Sequence, residues 1–183
     1  KGNEFKIISV GRISPIKNYE TLIEAIEIIK DKLDINIDII GGPGIKEQEI
    51  YFHKLKRIVK EKGLNGIIEF KGLIPNQKLP EYYRESDISI NLCPVGSPDK
   101  AVLESMACGL PVLVCNKTFL PDFGPYYEQL LFKEKDSSIV AFRDVKDPEL
   151  VRKKLGVGVL QGTKVINFEE KPAGRQKLGR RQG

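Results

Sequence analysis

Arg12 and Lys17 flank a turn in SVGRISPIKNYETLIEAI, just beyond an apolar run that ends at Val10. Fixed there, an arginine fork and a lysine point charge can hold a diphosphate. Far downstream, NLCPVGSPDKAVLESMACGLPVLVCN (Asn91 to Asn116) sets a turn-rich loop and an apolar strand around a short helix that carries one acid, Glu104. A helix start offers free N–H groups and a partial positive charge to phosphates, and a carboxylate accepts hydrogen bonds from sugar hydroxyls. Together these residues describe the chemistry of holding a nucleotide sugar. Plainer readings stand beside that one: Arg12 and Lys17 as solvated loop cations, and Asp99 as the cap of the helix that follows it.

The elements that must position these groups alternate along the chain. FKIISV (Phe5 to Val10), INIDII (Ile35 to Ile40), IIEF (Ile67 to Phe70), Asp87 to Leu92 and Pro111 to Val114 read as short, buried strands. Between them, Asn18 to Leu33 and Ile45 to Lys62 show helical apolar spacing, and Gly63 is placed to end the second helix. Leu79 to Glu85 and Lys100 to Ala107 are shorter helices. This β-α-β-α order predicts an α/β fold, a Rossmann-like three-layer parallel sheet of about six strands with helices on both faces. Ligands then bind beyond the C-terminal ends of the strands, in loops beginning at Gly11, Gly41, Lys71, Cys93 and Cys115. The second of these, GGPG with Gly42 at its centre, either admits a ligand close to its backbone or simply makes a tight turn. Backbone groups near Leu73 and Ile74 in the third can meet a flat base without a special side chain. No GxxxxGK[ST] occurs, and GRISPI lacks the second glycine of a dinucleotide fingerprint.

Composition narrows the classes further. Of 183 residues, 40% are apolar and 30% charged, as in a soluble globular chain, with no apolar run of membrane-span length. The opening KGNEFKIISV has no leader and enters a strand at once, as a piece of a longer protein would. Three unpatterned cysteines (Cys93, Cys108, Cys115) suggest free thiols and a reducing, cytoplasmic setting rather than a disulfide or zinc framework. The one histidine, His53, lies in a polar helical run, so neither a histidine triad nor a histidine-rich metal site can be assembled. The net charge of +5 is uneven: residues 151–183 hold nine Lys/Arg against two Asp/Glu, leaving twenty-one against twenty-three in residues 1–150. The body has no basic excess for nucleic acid. Two units follow: a domain over residues 1–145, and a basic tail over 146–183 expected to be partly disordered. Peripheral membrane contact of a full-length protein is compatible with that tail's charge.

VGRISPIKNYETLIEAI, IIGGPG, IEFKGLIPNQKLPEYYRESDISINL and VLESMACGLPVLV, in this order, resemble the C-terminal, nucleotide-sugar-binding half of GT-B glycosyltransferases, particularly the retaining group 1 family. The pieces span roughly Phe5 to Val114. The resemblance implies that Arg12 and Lys17, beside Gly11, hold the donor diphosphate and serve as the catalytic cations. It implies that Glu104 binds the ribose hydroxyls, that Leu73 and Ile74 contact the base, and that Ser97, Asp99, Lys100 and Ala101 meet the sugar and phosphates. It further implies transfer with retention and without metal or other cofactor, the nucleoside-diphosphate sugar being the donor substrate. An N-terminal domain would supply the acceptor side, so this chain alone is expected to be inactive. One departure stands out. The family's second acid, eight residues before the ribose ligand, is here Gly96, which leaves open whether Asp99 contacts the sugar or only caps the helix. A nucleotide-sugar epimerase of the same fold and a non-catalytic binding module are the alternative classes.

Overall fold

The computed structural model describes residues 4–96, 98–123 and 130–135. Strands β1 (Phe5–Val10), β2 (Ile35–Ile40), β3 (Ile68–Gly72), β4 (Ile88–Asn91) and β5 (Val112–Val114) form one parallel sheet in the order β3-β2-β1-β4-β5. Helices α1 (Tyr19–Ile29), α2 (Lys46–Glu61), α3 (Leu79–Glu85), α4 (Lys100–Ala107) and α5 (Leu120–Phe123) fill the intervals. The chain winds outward from β1 to β3 and then crosses back to lay β4 on the other side of β1. The direction of winding therefore reverses between β1 and β4, and in such sheets the crevice at the reversal is where ligands sit.

Strand alternation explains the layers. Phe5 and Ile7 of β1, Ile35, Ile37 and Ile39 of β2 and Ile88 and Ile90 of β4 face α1 and α2, where Leu22, Ile23, Ile26, Leu55 and Val59 complete the main core. Each such buried aliphatic side chain stabilises the fold by roughly 1.5–3 kcal/mol. On the opposite face, Ile8 and Ile40 pack with Leu79 and Tyr83 of α3, and Val112 and Val114 pack with Val102 of α4. The expected three-layer α/β architecture is thus present.

Several bounds differ from those expected. Helix α1 stops at Ile29 rather than Leu33, because Lys32 and Leu33 both donate to the Ile29 carbonyl and close a turn that delivers the chain to β2. Helix α2 ends as expected: Gly63 has φ +65°, and Leu64 N–H donates to the Val59 carbonyl. The described residues hold five strands against about six expected. A single parallel bridge from Val114 to Leu131 continues pairing at the β5 edge. The basic tail, the expected unit 146–183, lies outside the described residues. Among the described residues no helix is long and apolar enough to cross a membrane. His53 is exposed on α2, Cys115 is buried and Cys93 and Cys108 are half-buried, all three thiols free.

Candidate active site

Backbone geometry builds the ledge on the β1–β3 side. Beyond the strands the ladder continues: Gly11 N–H donates to the Ile40 carbonyl (2.9 Å), Gly41 N–H to that of Gly72 (2.8 Å) and Ile13 N–H to that of Gly42 (3.0 Å). These bonds draw the first two loops together. A Cβ on Gly41, whose φ is +136°, would stand 1.9 Å from the Gly11 oxygen, so only glycine fits there. Sequence reading singled out Gly42, which instead opens toward Leu73; a Cβ there would rest 3.5 Å from the leucine Cγ. Leu73 is 82% exposed, an apolar surface with no cover among the described residues, while Ile74 packs at the edge of the α3 cluster.

The two loop cations have different settings. Arg12 is exposed and reaches over the second loop, where a Cβ on Gly44 would lie 3.5 Å from its Cδ. Lys17 ends a 3₁₀ turn (Pro15–Lys17) and runs back over Gly11, so that a Cβ on Gly11 would lie 3.3 Å from its Cε. Only 15% of the Lys17 side chain is exposed, and its ammonium donates to Asp99 Oδ2 in an ion pair.

Asp99 joins the two sides of the reversal. It is the N-cap of α4, its Oδ1 accepting from Ala101 N–H at 3.2 Å. The capping reading of Asp99 is therefore realised, and the same carboxylate also accepts from Lys17 and, at 2.9 Å, from Asn91 Nδ2 at the end of β4. Burial works against ionisation of Asp99, but the hydrogen bonds from Lys17 and Asn91 outweigh it and hold the carboxyl below the usual carboxylate range. Asn91 is itself buried, and its Oδ1 accepts from Cys93 N–H at 3.1 Å.

Glu104 stands on α4 one and a half turns beyond the cap, about two-thirds buried. Lys100 Nζ lies 3.1 Å from its Oε1, and Tyr83 Oη donates to its Oε2 at 3.4 Å. The Tyr83 phenol is pushed up, first by burial and then by the Glu104 charge, and so remains a neutral donor. The structure therefore brings Lys17, Asp99 and Ala101 into one cluster and Lys100 and Glu104 into an adjoining one. Arg12 stands over the second loop, and Gly42 and Leu73 meet further along the ledge. Ser97 lies outside the described residues. Gly96 has φ +102°, nothing within 4 Å of a Cβ, and a carbonyl that accepts from Asn116 Nδ2 at 3.3 Å.

Sequence reading missed Gly41, Tyr83, Asn91 and Asn116. A polar residue closing an apolar strand was the available signal for both asparagines: INL for the first and VCN for the second. No group of three or more His, Cys, Asp or Glu among the described residues is arranged to hold a metal ion. A cavity of about 320 Å³ lies between Pro15, Ile16, Asn18, Pro94, Val95, Glu134 and Lys135; none of the four charged groups Arg12, Lys17, Asp99 and Glu104 lines it.

Known proteins similar to this chain are glycosyltransferases. The chain is 28% identical over 116 residues to the human GDP-Man:Man(3)GlcNAc(2)-PP-Dol alpha-1,2-mannosyltransferase, covering 60% of this chain and 24% of that protein. It spans about a quarter of the length of the curated relatives it matches. Among solved structures, the C-terminal domain of a group 1 family glycosyl transferase from Francisella tularensis superposes with a TM-score of 0.71 at 25% identity, over 86% of this chain and 81% of that one. HepE of Anabaena, solved in complex with UDP, gives 0.67 at 17% identity over 87% of this chain and 45% of that one, a likeness of fold. The family model for glycosyl transferases group 1 matches residues 1–147, the span that carries the sheet and both charged clusters, and the chain belongs to that family.

Proposed function

We propose that this chain binds the nucleoside-diphosphate sugar of a retaining, metal-independent glycosyltransferase, and that a further domain of a longer parent protein provides the acceptor side. The observation that carries this reading is the meeting of the Lys17 loop with the start of α4 where the winding of the sheet reverses, with Glu104 beside it. Arg12 and Lys17 hold the diphosphate and oppose the charge that develops on it as the glycosidic bond to the donor breaks. Glu104, oriented by Tyr83, accepts hydrogen bonds from the ribose. Gly42 and the exposed Leu73 give the base a flat apolar seat. Neighbours of the same fold solved with UDP and with UDP-glucose support a nucleotide-sugar donor. The relative whose name includes GDP-Man leaves the base open between uracil and guanine.

Calorimetric titration with UDP, GDP and their glucose and mannose conjugates tests the site. One of these binds at micromolar to low millimolar concentration, and Arg12→Ala and Glu104→Ala each weaken it at least tenfold. Undiminished binding in both variants removes the assignment. Gly96 favours a second reading, a binding module without turnover, since it stands where the family has its acid eight residues before the ribose ligand. With the full-length parent, release of nucleoside diphosphate only in the presence of acceptor identifies a transferase, and binding without release identifies a module.

A further inference from the structure

We propose that Asp99 is an internal counter-ion of Lys17 that the donor diphosphate must displace, so that the protein's own carboxylate and the ligand compete for one ammonium. This rests on the reading of the ledge as a donor site. Three observations carry it. The Lys17 ammonium donates to Asp99 Oδ2, and its stem is confined over Gly11 with 15% of the side chain exposed. The carboxylate is not loosely placed: Asn91 Nδ2 donates to the same oxygen at 2.9 Å and Ala101 N–H to the other at 3.2 Å. An anion therefore already occupies the start of α4, where the helix's partial positive charge favours a phosphate. A diphosphate arriving at Lys17 meets a fixed negative charge across one cation, and like charges that close repel strongly away from bulk water. Two outcomes are open to the ligand: it takes Lys17 from Asp99, or it binds weakly. Since Asn91 and Ala101 continue to hold the carboxylate after Lys17 leaves, the exchange costs the helix little of its cap. Arg12, exposed and without an ion pair among the described residues, makes the first contact, and Lys17 is recruited second.

The test uses the whole chain with UDP, GDP, inorganic pyrophosphate and the neutral nucleosides uridine and guanosine as probes. Asp99→Ser keeps a good capping side chain while removing the charge, and Asp99→Asn, which keeps the shape, serves if the serine variant fails to fold. The expected result is about tenfold tighter binding of the diphosphates and pyrophosphate, equivalent to about 1.4 kcal/mol, with nucleoside binding unchanged. Adding Lys17→Ala should erase the gain. Unchanged or weaker diphosphate binding in the Asp99 variants overturns the proposal and leaves the donor site standing, with Asp99 then a residue that positions Lys17. If neither wild type nor variants bind any nucleoside diphosphate, the donor site itself falls and this proposal with it.

Discussion

The two halves of the sheet hold their loops by different means. After β1, β2 and β3 the loops are joined by main-chain bonds, and the contact between them tolerates only a glycine at position 41. After β4 and β5 the work passes to side chains. Asn91 and Asp99 tie β4 to α4, Ser105 Oγ donates to Ser89 Oγ at 2.9 Å beneath them, and Asn116 reaches back to the Gly96 carbonyl. The first arrangement is rigid and indifferent to most side chains. The second is polar, and can be retuned by single substitutions. On the proposed reading, the rigid half meets the donor's phosphates and base, and the adjustable half meets its sugar and ribose.

The largest expected effect breaks the rigid half. Gly41→Ala drives a methyl into the Gly11 carbonyl and should cost about 3 kcal/mol or more, through combined clash and backbone strain. Gly96→Ala shares a positive φ but meets no atom, so about 1 kcal/mol is expected; urea unfolding of both separates the cases, and equal losses would refute the close approach. Next in size is the ion pair that joins the two halves. Lys17→Ala strands a partly buried carboxylate and should cost about 1–2 kcal/mol, and in a double-mutant cycle with Asp99→Ser most of that loss should vanish.

Acid should sort the halves as well. Asp99 and Glu20 both have carboxyls held low: burial opposes this in each, but bonds from Lys17 and Asn91 in one, and from Tyr51 and Lys54 in the other, outweigh it. Their contribution is complete above the unfolded carboxyl value of about 4 and is lost as pH falls through the lower folded values. Asp38 is shifted upward, mainly by burial, and acts in the opposite sense. Unfolding free energies measured between pH 6 and pH 2.5 should therefore fall for wild type, and fall less for Asp99→Asn. The smallest effect is thermodynamic silence at Arg12. Its alanine variant should change stability by less than about 0.5 kcal/mol while weakening nucleotide binding at least tenfold.

Much of the fold was legible because β-branched runs and helical periodicity are local signals. The five strands found were all marked, and β3 was shifted by only a residue or two. The end of α1 slipped from Leu33 to Ile29 because Lys32 and Leu33 share the Ile29 carbonyl and the chain turns there, without a glycine or proline to announce it. The candidate site was legible as residue types and motif order, but not as pairings. Nothing local ties Lys17 to Asp99, eighty-two positions away, and the glycine that matters, Gly41, differs from its neighbour Gly42 only through a carbonyl brought in by another strand. The cap at Asp99 was readable from its place before a helix. Its simultaneous engagement by Asn91 and Lys17 was not.

The ladder that runs past the strand ends at Gly11, Ile13 and Gly41 has a consequence for time as well as shape. Amides bonded in this way exchange with solvent only when the sheet around them opens, so in heavy water these loop protons should persist nearly as long as those of β1 and β2. On the proposed reading, the backbone of a ledge that opens so seldom is already in place before a ligand arrives, and only the Lys17–Asp99 pair has to rearrange. Little of the ligand's binding energy is then spent on ordering that backbone.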